Sequence, residues 1–354
     1  MTAIPKANIV AIATAVPQHR LEQTTVLDRV TPMFGAAAEF ERLRPVFGNS
    51  GIEQRYSPMP FDWFDQPQSW PERNRQYLAA AVDLLELVAG RALDFADLRA
   101  EDIGAVVTVS TTGVATPSLD ARLLDRMHLP RNVQRLPIFG LGCGGGAIGL
   151  ARAATLAAAM PDKAVLFLVV ELCSLWFRRH DLAKSSIVAS ALFGDGAAAV
   201  LLRCGGTGPA IAAAGEHTWP DSLDVMGWDV AEDGLKPIFS RDIPRLVTAE
   251  LGDAARAFLA SHGLRLGDID RFICHPGGPK VVTACESAFG LERGTLAEER
   301  AVLRDFGNMS AVSVLFVLER VLAKARQSGE AWQRALVTAL GPGFTAGFVL
   351  LENR

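Results

Sequence analysis

One α/β pattern occurs twice in this chain, and that repetition limits what it can fold into more than any other feature. In the first half a strand-like run ending at Ser110 is followed by Thr111, and Cys143 stands 32 residues further on. In the second half a strand ending at Cys274 is followed by His275, and Asn308 stands 33 residues further on. Each copy closes on a glycine turn leading into a final apolar strand: Gly194-Asp195-Gly196 before AAAVLL, and Gly341-Pro342-Gly343 before FTAGFVLL. The repeat predicts two α/β halves, 1–205 and 206–354, with Cys143 and Asn308 at equivalent positions opening equivalent helices and His275 at a strand end. The interval from Cys143 to its glycine turn is 51 residues against 33 from Asn308. The excess is assigned to the charged stretch 175–190, expected as a loop or short helix over the site. The GGTGP cluster at 205–209 is the expected boundary, a short turn between the halves.

Between these landmarks, apolar runs such as IGAVVTVS, KAVLFLVVE and RALVTAL alternate with longer helical patterns, which predicts a sheet covered on both faces. A length of 354 residues, of which 49% are hydrophobic, is ample for a large core. The 35 Lys+Arg against 39 Asp+Glu leave no basic footprint for nucleic acid. Five cysteines without a CxxC pair point away from a disulfide framework or zinc ribbon and toward a reducing compartment. No segment reaches the roughly 18 uncharged apolar residues of a membrane span. The N-terminal run, bounded by Lys6, Asn8 and Pro17, reads as a first strand and not a signal segment, so a cytoplasmic protein is expected.

The segment FGLGCGGGAIGLARA formally contains GxGxxG at Gly140, Gly142 and Gly145, and Glu171 ends the next strand, as in a dinucleotide-binding fingerprint. Its place far from the N-terminus and the cysteine at its centre count against that reading. The alternative is a nucleophile at a strand-to-helix turn, where glycines permit tight geometry and the helix N-terminus favours thiolate over thiol. A small buried hydrophobe is the plain reading of Cys143, though it leaves the surrounding glycines unexplained. His275, followed by Pro276-Gly277-Gly278-Pro279, is the best placed of six histidines to assist a cysteine. His19, His128, His180, His217 and His262 read as ordinary surface residues. Asn308 is a helix cap in the plain reading; the duplication also turns it toward the crevice of Cys143 and His275. Two N–H donors there can stabilise the enolate formed when a malonyl thioester loses carbon dioxide.

The Cys143 turn, Phe193-Gly194-Asp195-Gly196, His275-Pro276-Gly277-Gly278-Pro279, Gly307-Asn308-Met309-Ser310 and Gly341-Pro342-Gly343-Phe344 together resemble the type III polyketide synthases, the chalcone and stilbene synthase superfamily. The resemblance implies a thiolase-like, five-layered αβαβα fold and a homodimer, with acyl-CoA and malonyl-CoA as substrates and neither bound cofactor nor metal. It makes Cys143 the acyl-accepting nucleophile and His275 and Asn308 the decarboxylation site. Phe193 becomes the aromatic gate, and Thr111, Glu171 and Ser310 the network that influences cyclisation. Three positions depart from plant members: Trp176 and Cys173 replace small polar residues, and Pro237 falls where a second aromatic gate is expected. VELCSLWFRRHDL is more similar to bacterial members that extend fatty acyl starters into alkylpyrones or alkylresorcinols. Arg42 and Arg44 match basic residues that meet the coenzyme A phosphates. The rivals are a ketoacyl carrier-protein synthase of the same fold and a catalytically silent acyl-binding protein. The first usually has a second asparagine after its histidine, and the second is expected to lose one of Cys143, His275 and Asn308.

Overall fold

Strands buried on both faces carry no polar alternation, and the long apolar runs fold as such strands. The first half contains β1 (Ala7–Ala15), β2 (His19–Glu22), β3 (Gln54–Ser57), β4 (Ile103–Val109), β5 (Gln134–Ile138), β6 (Ala164–Leu172) and β7 (Asp195–Cys204). The second contains β8 (Ala210–Thr218), β9 (Met226–Ala231), β10 (Gly234–Phe239), β11 (Arg271–Cys274), β12 (Arg334–Gly341) and β13 (Thr345–Glu352). This computed structural model describes residues 5–35, 37–179, 181–330 and 332–353; His180 lies outside them.

Among the described residues nine strands form one sheet in the order β11-β12-β13-β8-β1-β7-β6-β4-β5. Its two wings repeat each other. β4 runs parallel to β6, which runs antiparallel to β7; β11 runs parallel to β12, which runs antiparallel to β13. The wings join where Asn8 of β1 pairs with Ala210 of β8, and residues 205–209 are the turn that leads from β7 into β8. Asn8 secures that turn by donating its side-chain amide to the Gly208 carbonyl at 2.8 Å. The wings differ at their outer edges: β4 is flanked by β5, whereas β11 has no strand beyond it.

Helices complete five layers. The helix Trp70–Ala96, started by Ser69 whose side chain accepts the Glu72 N–H, covers the outer face of the first wing. The helices Gly252–Ala260 and Pro279–Phe289 cover the outer face of the second. Between the inner faces lie the helices Gly145–Ala159 and Ser313–Ser328, packed with Val107, Phe167 and Val200 of one wing and Ile273, Val337 and Val349 of the other. A helix apolar on nearly all sides belongs in such a middle layer. The αβαβα architecture is thus the one expected.

The glycines after Cys143 serve helix contact. A Cβ on Gly146 would lie 2.2 Å from the carbonyl oxygen of Ala311, so only glycine lets the two central helices meet this closely. One expectation needs correction here. Cys143 is the middle residue of a 3₁₀ turn, Gly142–Gly144, that opens its helix, and the matching turn is Ser310–Val312, whose middle residue is Ala311. Asn308 therefore lies three residues ahead of the position equivalent to Cys143. The offset arises because the chain at Asn308 is drawn into an isolated β-bridge with Phe193 before the turn begins. Substituting Gly146→Ala should force the helices apart at a cost of about 1–3 kcal/mol, visible as a lowered thermal midpoint; an unchanged midpoint would mean that the interface accommodates the methyl group.

Candidate active site

The Cys143 turn is held from behind. Thr111, directly beyond the end of β4, accepts the Gly142 N–H on its hydroxyl at 3.1 Å. Gly142 has φ +44°, and a Cβ there would meet the Pro342 ring at 2.7 Å, so the Gly341-Pro342-Gly343 turn packs directly on the Cys143 loop. The Cys143 side chain is half-buried and opens into a cavity of about 530 Å³ that His275 and Asn308 also line.

His275 follows β11, and its backbone N–H donates to the Thr338 carbonyl at 2.9 Å. Both imidazole nitrogens are buried with no hydrogen-bond partner among the described residues. Asn308 is oriented on both sides: Oδ1 accepts the Ser310 N–H at 2.9 Å, and Nδ2 donates to the Gly277 carbonyl at 3.1 Å. An amide nitrogen carries two N–H donors, so one stays free for the cavity. The backbone of Asn308 is also tied to Phe193, with Asn308 N–H donating to Leu192 O at 2.8 Å and Gly194 N–H to Asn308 O at 2.9 Å.

Sequence models of the chalcone and stilbene synthase N-terminal and C-terminal domains match residues 1–206 and 210–353. The chain belongs to the chalcone and stilbene synthase family. It is a type III polyketide synthase, an acyltransferase whose condensation is decarboxylative. Over 352 residues it is 40% identical to a 1,3,6,8-tetrahydroxynaphthalene synthase of Streptomyces peucetius subsp. caesius, covering 98% of this chain and 93% of that one. It is 37% identical to a putative chalcone synthase of Bacillus subtilis, covering 98% of each. The crystal structure of 1,3,6,8-tetrahydroxynaphthalene synthase from Streptomyces coelicolor A3(2), a bacterial type III polyketide synthase, is similar with a TM-score of 0.92 and 28% identity. That match covers 98% of this chain and 99% of the other.

The synthase has a second, larger cavity of about 780 Å³, and the remaining expected pocket residues divide between it and the protein interior. Phe193, Cys173 and Trp176 line the larger cavity, not the one that holds Cys143. The two cavities adjoin where the Phe193 ring lies 5.5 Å from the ring of Phe239, which lines the smaller one. Phe239 is therefore the aromatic partner that the sequence reading missed at Pro237; the register is displaced by two residues within β10, and Pro237 itself lines the larger cavity. Trp176 donates its indole N–H to the Thr112 carbonyl and packs against Trp70 and Trp228, with ring centres 6.5 and 6.4 Å away. The stretch 175–190 runs into the helix Lys184–Leu192, which contributes Ser186, Ala189 and Ser190 to the same cavity wall.

Thr111, Glu171 and Ser310 line neither cavity. Fully buried Glu171 accepts the Thr111 N–H at 3.0 Å and the Thr112 hydroxyl at 2.8 Å, so the neighbouring threonine supplies the hydroxyl to this carboxyl. The Ser310 hydroxyl bridges Glu171, at 3.5 Å, and the Cys143 sulfur. Arg42 and Arg44 are exposed, pair with Glu39 and Glu41, and line neither cavity. His19, His128, His217 and His262 also lie outside both.

Burial pushes the Cys143 thiol up to about 12 and the His275 imidazole down to about 4. Desolvation is the largest cause of both shifts, and it favours the neutral thiol and the neutral imidazole. Below its pKa a thiol gains thiolate about tenfold per pH unit. Alkylation of Cys143 by iodoacetamide, followed by mass spectrometry, should therefore accelerate steadily from about pH 7 to pH 9. A flat profile would instead reveal a thiolate–imidazolium pair.

Proposed function

We propose that this synthase loads an acyl-CoA starter with an apolar, fatty acyl tail onto Cys143, extends it with malonyl-CoA and releases an alkylpyrone.

 The observation that carries this is the larger cavity, whose walls include Leu21, Val26, Val30, Met33, Phe61 and Phe64, an apolar lining of the kind that binds hydrocarbon. In the reaction, the Cys143 sulfur attacks the starter thioester, its proton passes to His275, and the CoA thiolate leaves. His275 and the free N–H of Asn308 then hold the oxygen of malonyl-CoA while its carboxylate departs as carbon dioxide. The electrons of the broken carbon–carbon bond become the enolate, and two such donors stabilise its charge in a dry site. The enolate carbon attacks the acyl group on Cys143 and displaces the sulfur. Every group these steps require belongs to the chain or the substrates, which supports an enzyme without resident cofactor.

A second reading, with malonyl-CoA as both starter and extender, is favoured by the 40% identity to a tetrahydroxynaphthalene synthase. Incubating the purified enzyme with malonyl-CoA and a ladder of acyl-CoA starters separates the two. Fatty acyl starters should turn over fastest, leave an acyl adduct on Cys143 and give no product with Cys143→Ala. Turnover of malonyl-CoA alone to a naphthalene product, with no fatty acyl adduct, would establish the second reading instead.

The edge strand β5 supports a homodimer, since Leu136 within it and Phe139 directly after it expose apolar side chains. We place coenzyme A at the smaller cavity, which contains Cys143; the surface pairing of Arg42 and Arg44 lends no support to a role for them in holding its phosphates.

Trp176 fills part of the larger cavity, and a tryptophan buries on the order of 200 Å². Its bulk favours early release as a triketide pyrone over the longer chain that a resorcinol requires. Trp176→Thr should shift products toward more malonyl units while lowering stability by about 3–5 kcal/mol, as loss of a large buried ring does. An unchanged product profile from the folded variant would assign chain length to another wall.

A further inference from the structure

The two wings of the sheet end differently beside the site. At the end of β4, the Ser110 N–H donates outward to the Ile138 carbonyl of β5 at 3.3 Å. The duplication matches Ser110 and Thr111 with Cys274 and His275, yet β11 is an edge strand and nothing in the sheet takes the place of β5. An unpaired buried N–H at that point costs about 1–3 kcal/mol. The Cys274 N–H instead donates to Oε1 of Glu299 at 3.0 Å. Glu299 is fully buried on the helix Ala297–Phe306, and its Oε2 has no hydrogen-bond partner among the described residues. A carboxyl group is a costly occupant for such a place, where an apolar side chain could pack without desolvating charge.

We propose that Glu299 is a positioning residue whose carboxyl replaces the missing strand's carbonyl and so holds His275 in register for decarboxylation. On the inner side the His275 N–H is fixed by Thr338, and the imidazole nitrogens have no hydrogen-bond partner among the described residues, so hydrogen bonds place this residue only through its backbone. The Asn308 amide rests on the carbonyl of Gly277, two residues past His275, so movement of this strand end disturbs both donors. The helix that carries Glu299 also ends at Phe306, two residues before Asn308, and the carboxyl thereby ties the histidine strand to the chain delivering the asparagine. The inference rests on the roles proposed above for His275 and Asn308.

The test compares Glu299→Leu and Glu299→Thr, which lack an acceptor at that reach, with Glu299→Gln, which keeps a carbonyl oxygen. Malonyl-CoA decarboxylation and acylation of Cys143 are measured separately on each and normalised to folded protein. Decarboxylation should fall about 10²-fold in the Leu variant, the scale of an ångström-sized misplacement. Acylation, which uses His275 as proton acceptor but not Asn308, should fall less steeply than decarboxylation, and Gln should restore both. Equal losses in both steps, or unchanged decarboxylation in a folded Leu or Thr variant, would overturn the proposal. Should neither fold, hydrogen exchange at the Cys274 amide of the wild-type enzyme decides: protection matching Ile273 is expected, and exchange at the rate of an open edge overturns it. His275→Gln serves as the reference. If that variant decarboxylates normally, the role of His275 itself is wrong; if it fails while Glu299→Leu does not, only this inference falls.

Discussion

Where Gly146 of one central helix meets the Ala311 carbonyl of the other, backbone touches backbone. Cys143 and Asn308 lie just ahead of these two helices, so the separation of the helix starts sets the separation of the two side chains. A side chain at the contact would widen the cavity that Cys143 and Asn308 line. The sheet wings then close the arrangement, because the inner faces of both pack on the same helix pair.

Dryness is the second shared condition. Glu171, Asp195 and Glu299 are all buried, and desolvation raises each to about 7. Arg55, beside Asp195, falls to about 10 for the same reason. Groups so reluctant to carry charge are kept in place by hydrogen bonds: Asp195 accepts the Ser174 N–H at 2.7 Å, and Arg55 donates to the Phe193 carbonyl at 2.7 Å. In such surroundings an N–H aimed at a developing enolate acts with little competition from water.

Much of this was legible in the sequence because duplication leaves a countable trace. The spacing from Thr111 to Cys143 and from His275 to Asn308 located the crevice, and the glycine turns located the starts of β7 and β13. What counting could not resolve was any shift of a few residues. Asn308 is displaced by three from strict equivalence because it forms a bridge with Phe193, and Phe239, one pleat repeat beyond Pro237 on the same face of β10, is the ring that meets Phe193. Thr112 was hidden beside Thr111, since two adjacent hydroxyls look alike until the backbone turns. Glu299 left no signal beyond a charged residue in the amphipathic pattern LAEERAVLRDF, where an acid ordinarily faces solvent. Its buried role follows only from the absent outer strand.

The bridge between Phe193 and Asn308 has a further consequence for how this enzyme can diverge. The ring that lines the larger cavity and the amide that lines the smaller one hang from adjoining backbone segments, fixed by hydrogen bonds of 2.8 and 2.9 Å. Lengthening or shortening the loop at the gate would drag the asparagine with it. New starter preferences must therefore arise by exchanging side chains on an unchanged trace, so descendants of this chain can be expected to vary in what fills the larger cavity while the path of the backbone from 192 to 194 stays constant.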